Sequence, residues 1–192
     1  MKKLIQKKNR GFTLVETMVA VSIFTVSLLG MMNILSGNIS NTFYAKQKML
    51  AAYLAQEGIE YIRNLRDTYV LYSTDGQTGW DAFYDKLFPC ASSNGCYFNA
   101  DDLDFGNKDR PMTNLSISIC NDINCSNGKL LFDTTTGKYG FAPSGTPSSF
   151  IRKINVSSAD SNEIKISSVV SWTQGSGNYS IAFSETLFNW IE

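Results

Sequence analysis

From residue 12 to residue 45 the chain carries one charged side chain, Glu16, in an otherwise apolar and small-polar stretch. About 20 apolar residues span a bilayer, and the run 12–35 is long enough to do so. Asn33, Ser36, Asn38, Ser40 and Asn41, with Gly37 among them, mark the outer end of that run. The pattern then changes. Leu50, Leu54, Gly58, Tyr61 and Leu65 recur at helical spacing, and Ala51, Ala55, Ile59 and Ile62 widen the same stripe. Glu57, Glu60, Arg63, Asn64 and Asp67 lie away from it, and no proline occurs before Pro89. The spacing predicts one helix over about 13–66, apolar all round in its first half and amphipathic in its second.

Beyond the helix, 73–114 reads as an irregular connection containing Trp80, two cysteines and an acidic run. The rest is β. Residues 115–120 alternate with period two, 129–134 form a second candidate strand, and a Gly/Pro/Ser loop covers 137–149. Longer runs follow at 150–157, 163–173 and 179–190. Turn-forming residues at 159–162 and 174–178 separate them, a spacing that makes antiparallel neighbours. The expected fold is therefore α+β: a long N-terminal helix whose C-terminal half packs on a small antiparallel sheet. The chain divides into 1–11, 12–36 (membrane-type helix), 37–72 (amphipathic helix), 73–114 (αβ loop) and 115–192 (sheet). Trp172 and Trp190 are expected to pack on that sheet.

Charge sharpens the division. Lys2, Lys3, Lys7, Lys8 and Arg10 supply five of the 17 basic residues with no acid among them, leaving 12 against 17 acids and a formal charge of −5 beyond residue 11. Basic residues beside a membrane segment stay cytoplasmic, so 1–11 face the cytoplasm and the sheet lies outside. The acidic remainder argues against nucleic acid as a partner. A secretory signal peptide fits poorly, because the apolar stretch exceeds the usual length and no small-residue cleavage pattern follows it.

There are no histidines. Ser-His and Cys-His nucleophile pairs and His-ligated zinc are thereby excluded, and no Gly-x-Ser-x-Gly stands around a serine. No enzymatic activity and no cofactor is expected. Cys90, Cys96, Cys120 and Cys125 lie at spacings that match neither zinc knuckles nor redox motifs. An even number outside the cytoplasm favours disulfides. Three connectivities are possible; the local pairs Cys90–Cys96 and Cys120–Cys125 are expected, each closing a loop of turn-forming residues. Asp102, Asp104, Asn107 and Asp109 could gather oxygen ligands for Ca²⁺, although a solvated acidic turn is the simpler account and the spacing is not that of an EF-hand.

A carboxylate at a bilayer centre costs about 3 kcal/mol on insertion scales, and less near an end, so Glu16 calls for a specific partner. It closes the hexapeptide Gly11-Phe-Thr-Leu-Val-Glu16, set between the basic leader and the apolar run. This arrangement resembles the processing site of type IV pilin precursors, the class III signal of pilins and pseudopilins. The resemblance implies cleavage between Gly11 and Phe12 by a prepilin peptidase and methyltransferase, and N-methylation of Phe12. It also implies pairing of Glu16 with the N-terminal amine of a neighbouring subunit during filament assembly.

The runs Val19-Ala-Val-Ser-Ile-Phe24 and Leu54-Ala-Gln-Glu-Gly-Ile-Glu60 are similar to minor pilins and to I-type pseudopilins of type II secretion. The helix-bending proline of many major pilins is missing. The expected role is that of a minor pilin, with a secretion or competence pseudopilin as the alternative and a membrane-anchored binding module or adhesin as a further one. Expected partners are the peptidase, other pilin subunits, an inner-membrane assembly platform and the membrane itself. Expected location is the bacterial inner membrane, followed by a surface filament or a periplasmic pseudopilus.

Overall fold

A computed structural model describes residues 11–72, 79–99, 116–141, 144–160 and 162–189. Helix α1 spans Leu14–Tyr72, past the expected end at Arg66. The chain divides into two compact units, Met1–Ala45 and Lys46–Glu192.

Within the first unit, α1 has no packing partner among the described residues. Every described side chain from 11 to 43 is exposed, and the large apolar ones range from 44 % exposure at Leu28 to 85 % at Phe12. One window of 18 residues on α1 reaches a mean hydropathy of 2.1, long and apolar enough to cross a membrane.

The second unit holds the core. Ala51, Leu54, Ala55, Ile59, Ile62 and Leu65 of α1 are buried, while Leu50 and Tyr61 are only half-buried. The helix thus presents the wider side of its expected stripe. Opposite it lies an antiparallel sheet of seven strands: β1 (Cys96–Phe98), β2 (Ile117–Ile119), β3 (Lys129–Phe132), β4 (Tyr139–Gly140), β5 (Thr146–Asp160), β6 (Glu163–Gln174) and β7 (Gly177–Phe188). The long strand β5 organises it. One edge pairs with β6, from Phe150↔Trp172 to Asp160↔Glu163, and β6 pairs in turn with β7. The other edge pairs with β1 at Ile154 and with β3 at 146–151; β2 and β4 continue outward from β1 and β3.

Alternation along β5 and β6 sends Phe150, Ile154, Ile164, Ile166, Val170 and Trp172 to the helix side, where all are buried. Trp172 belongs to the packing, stacked on Tyr179 at 5.7 Å; Trp190 lies outside the described residues.

The connection after α1 is more regular than the sequence implied. Helix α2 (Gly79–Leu87) buries Trp80, Phe83 and Leu87, and a 3-10 turn at Phe88–Ala91 follows, with Pro89 at its start. A Cβ on Gly79 would stand 2.6 Å from the Tyr69 carbonyl oxygen and the Val70 Cα, so only glycine lets α2 begin this close to α1. The expected loop at 137–149 contains β4 and the start of β5, and β5 runs into the expected turn at 159–162 as far as Asp160. Pro147 is compatible with strand because it sits near the strand's beginning. Disulfides join Cys90 to Cys96 and Cys120 to Cys125.

Candidate functional site

Gly11 and Phe12 precede α1 as exposed chain without regular structure, and the helix starts with a reciprocal cap. The Glu16 backbone N–H donates to Thr13 Oγ1 at 3.3 Å. In return Glu16 Oε2 accepts from the Thr13 N–H and from the Thr13 hydroxyl, each at 2.9 Å. This is a capping box, which satisfies two backbone donors that a helix start otherwise leaves open. A carboxylate in the first turn also lies favourably in the helix dipole. Sequence reasoning assigned Glu16 a partner on another subunit; the chain already supplies one. Among the described residues its hydrogen bonds fall on Oε2 alone.

The hydroxyls of the apolar half are turned inward in the same manner. Thr17 donates to Leu14 O at 2.8 Å, Ser22 to Met18 O at 2.8 Å, Thr25 to Ser22 O at 2.9 Å and Ser27 to Ile23 O at 2.8 Å. A hydroxyl bonded to its own helix can enter lipid or an apolar interface without leaving a polar group unsatisfied. Apart from Glu16 and Asn33, the helix surface 14–35 is thus apolar in effect as well as in composition.

In the second unit, two ion pairs tie α1 to the sheet in opposite senses. Arg63 of α1 grips Glu185 of β7 through Nε and Nη2, the shortest contact being 2.7 Å, and reaches Glu60 with Nη1 at 2.8 Å. The hydrogen bonds to Glu185 hold the Arg63 guanidinium above its ordinary pKa. Arg152 of β5 is 2 % exposed and donates to Glu57 Oε2 of α1 at 2.7 Å. Its guanidinium carbon lies 5.5 Å from the Phe98 ring centroid and 5.9 Å from that of Tyr61. Among the described residues, Nη2 of Arg152 and the hydroxyl of Ser168 are buried without a hydrogen-bond partner. Sequence reasoning passed over Arg152, although it shares the inward parity of Phe150 and Ile154. Gly58 completes this contact: a Cβ there would meet Ser168 Oγ at 2.5 Å and Ile154 Cδ1 at 3.2 Å. Its role is close approach of helix to sheet.

The Cys120–Cys125 loop is held by more than its bridge. Asp122 accepts from the Asn124 N–H and the Ser126 hydroxyl, Asn127 spans Asn121 and Ile119, and Lys153 donates to Ile123 O at 2.9 Å. The Ser126 hydroxyl, before the backbone donors, pulls the exposed Asp122 carboxyl below its ordinary pKa. Asp102, Asp104, Asn107 and Asp109 lie outside the described residues. Among the described residues no cluster of acids, cysteines or histidines could hold a metal.

Residues 6–32 match the prokaryotic N-terminal methylation motif. The chain carries the pilin-type N-terminus. It is 29 % identical over 88 residues to type II secretion system protein I of Escherichia coli, covering 45 % of this chain and 72 % of that protein. No solved structure matches. The fold is α+β and pilin-like, a long N-terminal helix followed by an antiparallel sheet. Motif and apolar helix together mark a bacterial, membrane-anchored precursor of the pilin or pseudopilin kind.

Proposed function

We propose that this chain is a non-catalytic minor subunit of a type IV pilus or related filament. It is made as a membrane precursor, cut between Gly11 and Phe12, methylated at Phe12 and polymerised through α1. The observation that carries the reading is the uncovered apolar surface of α1, most of which lies within the stretch that matches the methylation motif. Among the described residues nothing buries it, and exposed apolar surface of this extent marks a membrane or protein interface. Lipid covers it before assembly and neighbouring helices cover it afterwards.

Glu16 then has two successive tasks. In the precursor it caps its own helix through Oε2, which keeps the carboxylate engaged near the bilayer. After cleavage the new amine of an adjacent subunit becomes a second donor, and the pair positions the incoming chain. Glu16→Ala is expected to leave membrane insertion intact and to remove the protein from sheared filament fractions. Normal incorporation of that variant would refute the assignment.

A second reading has its own support. The similarity to type II secretion system protein I favours a pseudopilin in a periplasmic pseudopilus. Immunogold labelling separates the two: surface filaments label if the protein is a minor pilin, and only the envelope labels if it is a pseudopilin.

A further inference from the structure

All four cysteines are bridged, and all four are buried. Cys90, Cys96 and Cys125 are 0 % exposed and Cys120 is 2 % exposed. The Cys90–Cys96 bridge lies in the core of the second unit, in one cluster with Ile59, Ile62 and Leu65 of α1 and Trp80, Phe83 and Leu87 of α2. The Cys120–Cys125 bridge is shielded in another way. A Cβ on Gly128 would stand 2.8 Å from Cys125 Sγ, so the backbone of Gly128 lies against that sulfur. On the other flank the Cys120 N–H donates to Gly95 O at 3.0 Å, and Asn94 Nδ2 donates to Cys120 O at 3.3 Å. The loop closed by one bridge is thus bonded to the loop closed by the other.

That burial fixes an order of events. A disulfide forms by exchange: a thiolate attacks a disulfide of the oxidant, a mixed disulfide results, and the second cysteine displaces the oxidant. Each step needs a sulfur that a second molecule can touch. The closed unit offers none. A chain that docked α1 with its thiols reduced would hold them as inert apolar groups, and oxidation would wait until the unit reopened. The spacing of the cysteines suits the opposite order. Sequence separations of 6 and 5 residues let each pair meet in a chain without tertiary structure, since short loops close in well under a microsecond. Cytosolic thiols are kept reduced, so the bridges close after the sheet region has crossed the membrane. The inference rests on that placement of the sheet outside the cytoplasm.

We infer that this chain is a substrate of a dithiol oxidase of the cell envelope, which closes both bridges on the exported chain before α1 docks on the sheet. Each bridge takes two electrons and two protons from a pair of thiols. The disulfide of the oxidase accepts them and becomes a dithiol. Oxidation therefore stands between membrane insertion and any assembly step that needs the folded second unit.

The test follows the full chain in cells that make it. Newly made chain is labelled in a short pulse, and spheroplasts are sampled during the chase with and without added protease. Acid stops each sample, and free thiols are counted in denaturant with a maleimide-polyethylene glycol tag. The expected result is that reduced chains are protease-sensitive throughout, and that protease-resistant chains carry no tag from the first time point. A resistant species that bears tags, and later loses them without passing through the sensitive pool, would overturn the order. In cells that lack the envelope dithiol oxidase bridging should slow several-fold; an unchanged rate would overturn the partner. A chain that never bridges, and that protease reaches only after the membrane is opened, would overturn the placement of the sheet outside the cytoplasm and this inference with it.

Discussion

The two halves of α1 share a backbone and differ in what surrounds them. From 14 to 43 every side chain is exposed, a Cβ at Gly30 or Gly37 would meet nothing within 4 Å, and serine and threonine hydroxyls turn back onto the helix. From 51 to 65 the helix buries alanine, leucine and isoleucine side chains, Gly58 approaches Ser168 closely, and ion pairs link it to β5 and β7. The difference shows that helix propensity does not decide where α1 is stable. The second half is held by its own chain. The first half needs a partner from outside, and lipid and sister helices are the two apolar surroundings that the proposed pathway offers in turn.

The largest test of this contrast is truncation of core and helix side chains in parallel. Phe83→Ala, at a fully buried position, is expected to cost the second unit about 3–5 kcal/mol in chemical denaturation. Leu28→Ala should leave that transition within about 0.5 kcal/mol of the parent, because Leu28 belongs to the uncovered half. A large effect from Leu28→Ala would break the division. Next in size is Glu57→Gln, which leaves the buried Arg152 without its counter-charge; a loss of about 2–3 kcal/mol is expected, below a fully buried pair because Glu57 is partly exposed. Arg63→Ala removes a more exposed pair and should cost about 1 kcal/mol or less.

Acidification gives the smallest effect. Asp122 and Asp133 are both held below their ordinary pKa, Asp122 chiefly by the Ser126 hydroxyl and Asp133 chiefly by the Thr135 N–H. A folded-state pKa below the unfolded one means that the unfolded chain binds more protons in that window. Their contribution is therefore present above the usual aspartate range, near pH 4, and is lost as pH falls through the lower folded values. Asp122→Asn should lower stability slightly at neutral pH and flatten part of the acid limb in thermal melts, so that variant and parent converge at low pH.

Much of this arrangement was written in the pattern of residues. The change from all-round apolar to amphipathic marked the two halves of α1, and period-two alternation marked β5, β6 and β7. What escaped has physical reasons. Trp80, Phe83 and Leu87 carry helical spacing, yet nine residues between turn signals are too few for periodicity to stand out. Pro147 and the serines around it read as loop, because their strand character comes from pairing with β3. Arg152 sits at an inward position where alternation expects an apolar residue, and only its partners Glu57, Tyr61 and Phe98 explain it. Thr13 and Glu16 have the spacing of a capping box, which the processing motif obscured.

The central claim is that the chain is a precursor whose helix is released for assembly by one cut. Intact-mass and N-terminal peptide mass spectrometry of the protein in sheared filaments, or in the envelope fraction if it is a pseudopilin, tests this most directly. The account predicts a start at Phe12 carrying one methyl group on the amine. A chain that still begins at Met1, or begins anywhere other than Phe12, would contradict it.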